Sequence, residues 1–140
     1  MVCYSFLCNK PLESVEDKYP DGTLHFKYFR NKDKQKQGQW IEFFPNGQIK
    51  SKLSFHKDLE EGRAVYFYET GELKEVQYFT KGKKNGPDTV FSQVGTIRNI
   101  SNFKNGLKHG KFLKFKLSSD SLDIESNYYQ DSLISFKKYE

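Results

Sequence analysis

Short segments that alternate apolar and polar residues recur along the chain, and glycine-containing turn sequences separate them. One such pair of segments, residues 40–44 and 48–55, flanks the turn Pro45-Asn46-Gly47. Alternation with a period of two is typical of half-buried β-strands. A turn with proline at its first corner and glycine at its third fits a three-residue hairpin loop. Each pair of segments therefore predicts one antiparallel β-hairpin.

The predicted hairpins repeat with a fixed period of 24 residues. Four glycines mark the period and a phenylalanine follows each glycine after five residues, at Gly38, Gly62, Gly86, Gly110, Phe43, Phe67, Phe91 and Phe115. Such a period is typical of arrays in which one unit is copied and stacked, because a single unit cannot bury its own apolar side. The sequence predicts an all-β fold, an elongated array of stacked antiparallel β-hairpins in which these eight residues are structural.

The repeat register divides the chain into a tail or short extra strand, residues 1–14, and a single repeat domain, residues 15–140. A capping half-repeat is expected at the C-terminus, where Asp131 and Phe136 take the glycine and phenylalanine positions. The approximate boundaries of the units and of the final cap are 15–37, 38–61, 62–85, 86–109, 110–130 and 131–140.

Alternation along the strands assigns the side chains to two faces. The row of Ile41, Phe43 and their repeats is predicted to be the inner face. Leu53 and Phe55, from the return strand, are assigned to the same face. Tyrosine and tryptophan are favoured anchors in protein interfaces, and the aromatic residues of opposite parity are the candidate protein-binding face: Trp40, Phe44, Tyr66, Tyr68, Tyr78 and Phe112. The alternative is that the hairpins twist and curl so that both faces are partly covered.

Lysines are frequent in the loops between units and predict a basic ridge along one edge of the array. The residues of this basic ridge are Lys57, Lys81, Lys83, Lys84, Lys104 and Lys108. With a formal net charge of +5, the chain suits an acidic or neutral protein partner or an anionic membrane surface. The alternative is that the lysines only keep the edge soluble and unpaired. Nucleic acid is not expected, because the chain has no recognition helix or ribonucleoprotein signature.

The sequence contains no pattern that indicates catalysis, a metal or a cofactor. It lacks a Gly-rich phosphate loop, a nucleophile elbow and a His-Glu-x-x-His pattern. His25, His56 and His109 occupy three different positions of the repeat. Cys3 and Cys8 supply too few ligands for a structural zinc site. We therefore expect a non-enzymatic protein with no cofactor, metal or small-molecule substrate.

The N-terminal residues leave the localisation open. As written, the sequence predicts a cytoplasmic protein, because the apolar run in residues 1–8 is too short for a secretory signal and has no basic residues before it. The alternative is the cell envelope, since Cys8 followed by polar residues is similar to the junction of a lipid-modified bacterial precursor whose upstream part is missing. No apolar run approaches the 18 or so residues of a membrane-spanning helix.

Residues 38–51 resemble the variant (type 2) MORN repeat. The similarity consists of Gly-x-Trp, an aromatic pair, Asn-Gly and a step from an aliphatic residue to lysine, and residues 19–24 and 68–75 repeat parts of it. It covers about residues 15–117. The unit that begins at Gly86 departs most from the pattern, because Asp88 stands at the position of the tryptophan.

The resemblance implies a function in binding rather than in catalysis. Proteins of this kind are bacterial and include YwqK-like antitoxins and proteins similar to lipid-anchored envelope components, and no catalytic residues come with the family. The resemblance therefore implies a repeat module for protein–protein interaction, antitoxin-like or immunity-like. The alternatives are a lipid-anchored structural protein of the bacterial cell envelope and a protein that binds anionic membrane surfaces.

Overall fold

The computed structural model describes residues 12–140, which form antiparallel β-strands joined by turns. No helix in this part of the chain is long and apolar enough to cross a membrane. The strands are β1 (Glu13–Lys18), β2 (Leu24–Arg30), β3 (Lys36–Phe43), β4 (Ile49–His56), β5 (Leu59–Glu60), β6 (Gly62–Phe67), β7 (Leu73–Thr80), β8 (Lys83–Lys84), β9 (Gly86–Phe91), β10 (Ile97–Lys104), β11 (Leu107–Lys108), β12 (Gly110–Phe115), β13 (Leu122–Tyr129) and β14 (Ser132–Lys138).

All of these strands belong to one open sheet, and their order in the sheet follows their order in the chain. The longer strands run β1-β2-β3-β4-β6-β7-β9-β10-β12-β13-β14, and each pairs with the next. The two-residue strands β5, β8 and β11 extend the turns that follow β4, β7 and β10. The predicted all-β array of consecutive antiparallel hairpins is therefore confirmed. Of the predicted N-terminal segment, residues 1–14, residues 1–11 lie outside the described residues, whereas Glu13 and Ser14 belong to β1.

Within the first four repeats the two strands are joined by a glycine turn, whereas the turn between β12 and β13 has no glycine and is closed by the Lys116 N–H and the Ser121 carbonyl. In the turn between β3 and β4, the N–H of Gly47 donates to the carbonyl of Phe44 at 2.9 Å, and the N–H of Phe44 donates to the backbone carbonyl of Gln48 at 2.7 Å. Gly47 has a φ of +83°, which glycine adopts readily because it has no Cβ. This arrangement is the predicted corner followed by a left-handed residue. It recurs in the turns that contain Gly22, Gly71 and Gly95.

From β4 onward, consecutive repeats are joined by tight turns of two left-handed residues. The turn between β2 and β3 instead has the hydrogen bonds of a glycine turn, with Lys34 at a φ of +63° as its left-handed residue. Between β4 and β5 the two left-handed residues are Lys57 and Asp58, with φ angles of +50° and +69°. Two positive φ angles define the mirror-image turn that matches the natural twist of a hairpin. The N–H of Asp58 also donates to the carbonyl of Lys36 in the preceding repeat, at 3.1 Å. Because the connections alternate, all glycine turns lie along one edge of the sheet and the two-residue turns lie along the other.

The cross-strand register assigns the side chains to faces and corrects one prediction. Trp40 pairs directly with Leu53, and directly paired residues project from the same face. Leu53 and Phe55 therefore lie on the face of Trp40, so the prediction that they join the row of Phe43 was wrong. The reason is a bulge at the glycine turn, where the register shifts between Glu42 and Phe43. One extra residue in the bulge reverses the parity counted through the turn.

Direct pairing along the whole sheet defines two faces. The Trp40 face carries Tyr28, Trp40, Leu53, Ala64, Gln77, Asp88, Ser101 and Phe112 in its central row. The Val65 face carries Ile41, Lys52, Val65, Val76, Thr89, Ile100 and Leu113 in its central row.

The sheet is a single layer, so burial is concentrated at its centre. Among the described residues the buried apolar side chains are Ala64, Val65 and Val76. Phe67 and its repeats along the chain are only half-buried. Four polar residues are buried on the Trp40 face or beside it: Ser51, Gln77, Asp88 and Ser126. Polar groups therefore make up much of the interior of this sheet, and they position the candidate site.

Candidate functional site

At one end of the Trp40 face, Trp40 belongs to a cluster of stacked aromatic rings. Its ring centroid lies 4.7 Å from that of Phe26 and 5.0 Å from that of Tyr28, and both pairs are close to parallel. Lys36 Nζ lies 4.6 Å from the centroid of the Trp40 ring and 4.9 Å from that of Phe55. Parallel rings and an ammonium group over a ring face are both attractive arrangements. All of these rings are half-buried, so parts of them remain accessible to a partner.

A second aromatic cluster lies three repeats further along, where Phe112 takes the position of Trp40. Phe112 contacts Tyr128 with ring centroids 4.8 Å apart and Phe103 with centroids 5.6 Å apart. Lys108 Nζ lies 4.9 Å from the Tyr128 centroid and 5.7 Å from that of Phe112. The two clusters therefore have the same construction, a lysine placed over aromatic rings by the repeat.

Between the two aromatic clusters the same repeat position holds smaller side chains, Ala64 and Asp88. Smaller side chains leave space between neighbouring strands. A depression of about 270 Å³ extends over this face from Glu75 and Asp88 to the second aromatic cluster. Its polar and aromatic walls include Glu75, Asp88, Asn99, Ser101, Phe112 and Tyr128.

Two carboxyl groups and an amide form the polar wall of the depression. Gln77 Nε2 donates to Glu75 Oε1 and also to Asp88 Oδ2, at 3.2 Å. Lys84 Nζ lies 2.6 Å from Asp88 Oδ2. Burial, followed by the neighbouring carboxyl of Asp88, raises the pKa of Glu75 above its usual range. Asp88 Oδ1 is buried and has no hydrogen-bond partner among the described residues.

The centre of the Trp40 face is acidic in character. Tyr66 lies between the depression and the Trp40 cluster, paired with Ser51 and Glu75. Burial raises the pKa of the Tyr66 hydroxyl, and four carboxylates raise it further: Glu75, Glu60, Asp88 and Glu42. Two of the four are paired with lysines, since Lys50 Nζ lies 2.8 Å from Glu42 Oε1 and Lys84 binds Asp88.

Phe44 and Tyr68 lie at the start of glycine turns, and Tyr68 has a structural contact there. The Tyr68 hydroxyl donates to the carbonyl of Phe91 in the next repeat, at 2.7 Å. Tyr19, at the same repeat position, donates to the carbonyl of Phe43 at 2.9 Å. Both hydroxyls connect neighbouring repeats along the glycine-turn edge. Phe44 has no hydroxyl and cannot make this bond.

The six aromatic residues of the predicted binding face do not all share one face. Trp40, Tyr66 and Phe112 lie on the Trp40 face, as the register requires. Tyr78 follows Val76 by two residues in a regularly paired strand, and it therefore lies on the Val65 face. It is exposed there, with 38% of its surface accessible. The prediction that Tyr78 shares a face with Trp40 is wrong, for the same reason of parity as at Leu53.

Most of the predicted basic ridge lies along the edge formed by the two-residue turns. Five of its lysines are exposed: Lys57, Lys81, Lys83, Lys104 and Lys108. Lys84 departs from the ridge, because it is half-buried and its ammonium group binds Asp88. Carboxylates interrupt the edge, since Asp58 lies in a turn and Glu61 accepts a hydrogen bond from the N–H of Lys81 at 2.9 Å. Along this edge, positive and negative groups are mixed.

Sequence reasoning missed the polar wall of the depression, formed by Glu75, Gln77 and Asp88. One signal was present, because Asp88 replaces an aromatic residue and follows Lys84 by four residues. Lys36 precedes Trp40 by the same interval. A lysine at this position therefore stabilises either a ring or a carboxylate. Within residues 12–140, no group of three or more histidine, cysteine, aspartate or glutamate side chains is arranged to hold a metal ion.

Comparison with models of known protein families finds no match for this chain. No curated protein matches it either.

Proposed function

We propose that this chain is a non-enzymatic, MORN-like repeat module that binds a protein partner through its Trp40 face. The observation that supports this proposal most directly is that this face carries two half-buried aromatic clusters, the second of which forms one wall of a polar depression. Aromatic anchors beside polar groups are the side chains that contribute most to binding in protein interfaces. The resemblance of residues 38–51 to MORN repeats agrees with a role in protein contact.

The extent of the surface favours a protein partner over a small molecule. The depression measures about 270 Å³, at the lower end of the range of about 300 to 1,000 Å³ that is typical of ligand pockets, so it holds one side chain or a similarly small ligand. The two aromatic clusters extend the contact surface along the sheet beyond the depression, which suits the extended interface of a protein.

An antitoxin-like role is the more specific form of this proposal. In that role the Trp40 face would cover a functional surface of a toxin. Because the chain carries a formal net charge of +5, the partner as a whole is expected to be acidic or neutral, since like charges slow association.

Two arginine substitutions on opposite faces test which face binds. Ser101→Arg fills the depression on the Trp40 face, whereas Thr89→Arg places the same side chain on the Val65 face at the centre of the sheet. The wild-type chain is used to capture partners from a bacterial extract, and bound proteins are identified by mass spectrometry. We expect a partner that Thr89→Arg retains and Ser101→Arg loses. Circular dichroism establishes that both variants remain folded, and equal capture by both would contradict the proposal.

The second candidate function is contact with an anionic membrane surface through the basic ridge. It is supported by the exposed lysines at the two-residue turns, which follow one another along a single edge. Sedimentation with phosphatidylserine vesicles tests it, with Lys57→Glu and Lys104→Glu as the combined variant. Binding that this variant abolishes would favour the membrane role. The lipid-anchor alternative depends on Cys8, which lies outside the described residues.

A further inference from the structure

We propose that the depression on the Trp40 face receives one arginine side chain of a protein partner. The guanidinium would lie between the carboxyl groups of Asp88 and Glu75 on one wall and the rings of Phe112 and Tyr128 on the other. This inference rests on the proposed protein-binding function and names the chemistry that the partner contributes.

Asp88 supplies the first part of the argument, because one of its oxygens lacks a donor. The residue is only 7% exposed. Its Oδ2 is bound by Lys84 at 2.6 Å and by Gln77 at 3.2 Å, while Oδ1 has no partner in the described part of the chain. A buried carboxylate oxygen without a donor is costly. An N–H donor that enters the depression and reaches this oxygen would remove this cost.

Glu75 supplies a second carboxyl group beside Asp88. Gln77 donates to both and holds them on the same wall. Burial and the proximity of Asp88 raise the pKa of Glu75, which means that a proton on this carboxyl relieves the repulsion between the two. A guanidinium ion would relieve the same repulsion, so its binding would release the proton from Glu75. Arginine should therefore bind more tightly at pH 8 than at pH 5.

The aromatic wall suits a flat cation. The ring centroids of Phe112 and Tyr128 lie 4.8 Å apart, and the two ring planes make an angle of 60°. Lys108 already places its ammonium group 4.9 Å from the centroid of the Tyr128 ring. Lys108 is exposed and long, so it can move aside. Arginine fits this wall better than lysine, because its planar guanidinium stacks on rings while its N–H groups bind carboxylates in pairs.

Lysines at the margins of the depression set the specificity. Lys114 lies at its rim, and Lys84 occupies one oxygen of Asp88. A single arginine that reaches past the rim finds two carboxyl groups, whereas a cluster of cations would meet Lys114 and be repelled. We therefore expect the site to bind one isolated basic residue on a partner whose surface is acidic or neutral elsewhere.

The experiment is a nuclear magnetic resonance titration of the isotopically labelled chain with N-acetyl-arginine N-methylamide. The matched control ligand is the citrulline analogue, which has nearly the same shape and no charge. We expect saturable shifts of the backbone amides of Asp88, Ser101 and Phe112 with the arginine probe. The citrulline probe should bind at least about tenfold more weakly, since a hydrogen bond to a charged group is stronger than a neutral one.

Two variants locate the binding to the depression. Asp88→Asn should weaken the arginine probe by at least about tenfold, whereas Glu69→Gln, which removes an exposed carboxylate that does not line the depression, should leave its affinity unchanged. If Asp88→Asn does not fold, the comparison of arginine with citrulline on the wild-type chain decides. Absent shifts at these amides, or equal binding of both probes, would overturn the arginine site. Either result would leave the protein-binding function intact if the partner still depends on Ser101.

Discussion

At the scale of single residues, Asp88 shows how one substitution in a repeat changes local chemistry. The equivalent positions hold Trp40, Ala64 and Phe112, so a carboxylate stands where the array otherwise places an apolar group. Its burial is made tolerable by Lys84 and Gln77. Burial also raises the pKa of the neighbouring Glu75. The pH dependence that Glu75 gives to the stability of the protein therefore reports on the electrostatics of the depression.

We predict that Glu75→Gln makes the protein more stable at neutral pH. The pKa of Glu75 is raised in the folded protein, from an ordinary value of 4.5, by burial and by Asp88. The folded state therefore holds a proton that the unfolded state has lost, so stability falls as the pH rises above about 4.5 towards the folded-state pKa. Glutamine removes this dependence while it keeps the length of the side chain and a hydrogen-bonding oxygen for Gln77.

Urea denaturation at pH 4 and at pH 8 measures this effect. The stability gained by the variant over the wild-type chain should be small at pH 4 and larger at pH 8. Glu69→Gln is the control, because this carboxylate is exposed in a turn. A gain that is the same at both pH values would show that the effect does not come from titration of Glu75.

At the scale of strands and turns, the sequence predicts the hairpins well and their faces only in part. Turn composition and period locate the strands, because glycine with a positive φ is required where the chain reverses. The bulge beside each glycine turn is not visible in that pattern. It reverses the parity of the return strand, so the alternation pattern predicts the wrong faces for Leu53 and Tyr78. Counting residues through a turn therefore predicts which strands pair. The register of that pairing also depends on the bulge, which the count does not include.

The aromatic rings around Trp40 connect strands β2, β3 and β4. We predict that Trp40→Ala lowers the stability of the protein. Loss of a fully buried aromatic side chain costs about 3 to 5 kcal/mol. Trp40 is half-buried and contacts Phe26 and Tyr28, so we expect a cost of roughly 2 kcal/mol. Trp40→Phe keeps a stacked ring and should cost less than half as much.

Urea denaturation followed by circular dichroism measures both variants, since Trp40 is the single tryptophan of the chain and its fluorescence is lost in each. Equal denaturation midpoints for Trp40→Ala and the wild-type chain would show that the stack contributes nothing to folding. In that case Trp40 would act only as a contact for a partner.

At the scale of the whole molecule, the single-layer sheet explains why the fold was predictable and the candidate site was not. Each strand pairs with its chain neighbours, so a local repeat is sufficient to specify the architecture. The depression instead depends on side chains from five strands that are neighbours in the sheet, including Glu75, Asp88, Ser101, Phe112 and Tyr128. Their proximity follows from the cross-strand register, and the half-exposed Phe row follows from the absence of a second layer over this sheet in the described residues.

We predict that deletion of one complete repeat, residues 86–109, leaves a folded protein of lower stability. In the full chain Glu75, Val90, Asn99 and Lys114 pair in sequence across the sheet. Removal of 24 residues would therefore bring β7 beside β12 with Glu75 opposite Lys114, an opposite-charge pair that favours this register. Phe79 would keep Lys84 as its partner, because Lys84 precedes the deleted residues.

A deletion of 23 residues, 86–108, is the matched control for this prediction. It removes almost the same mass but shifts the register by one, which turns every apolar side chain of the following strands to the other face. We expect a cooperative thermal transition and a β-sheet circular dichroism spectrum for the 24-residue deletion, and neither for the 23-residue deletion. If both shortened chains fold equally well, then contacts between neighbouring repeats are not what sets the register, and the fixed period of the sequence would need another explanation. If only the 24-residue deletion folds, each repeat is held by its immediate neighbours through the same cross-strand pairs along the whole array.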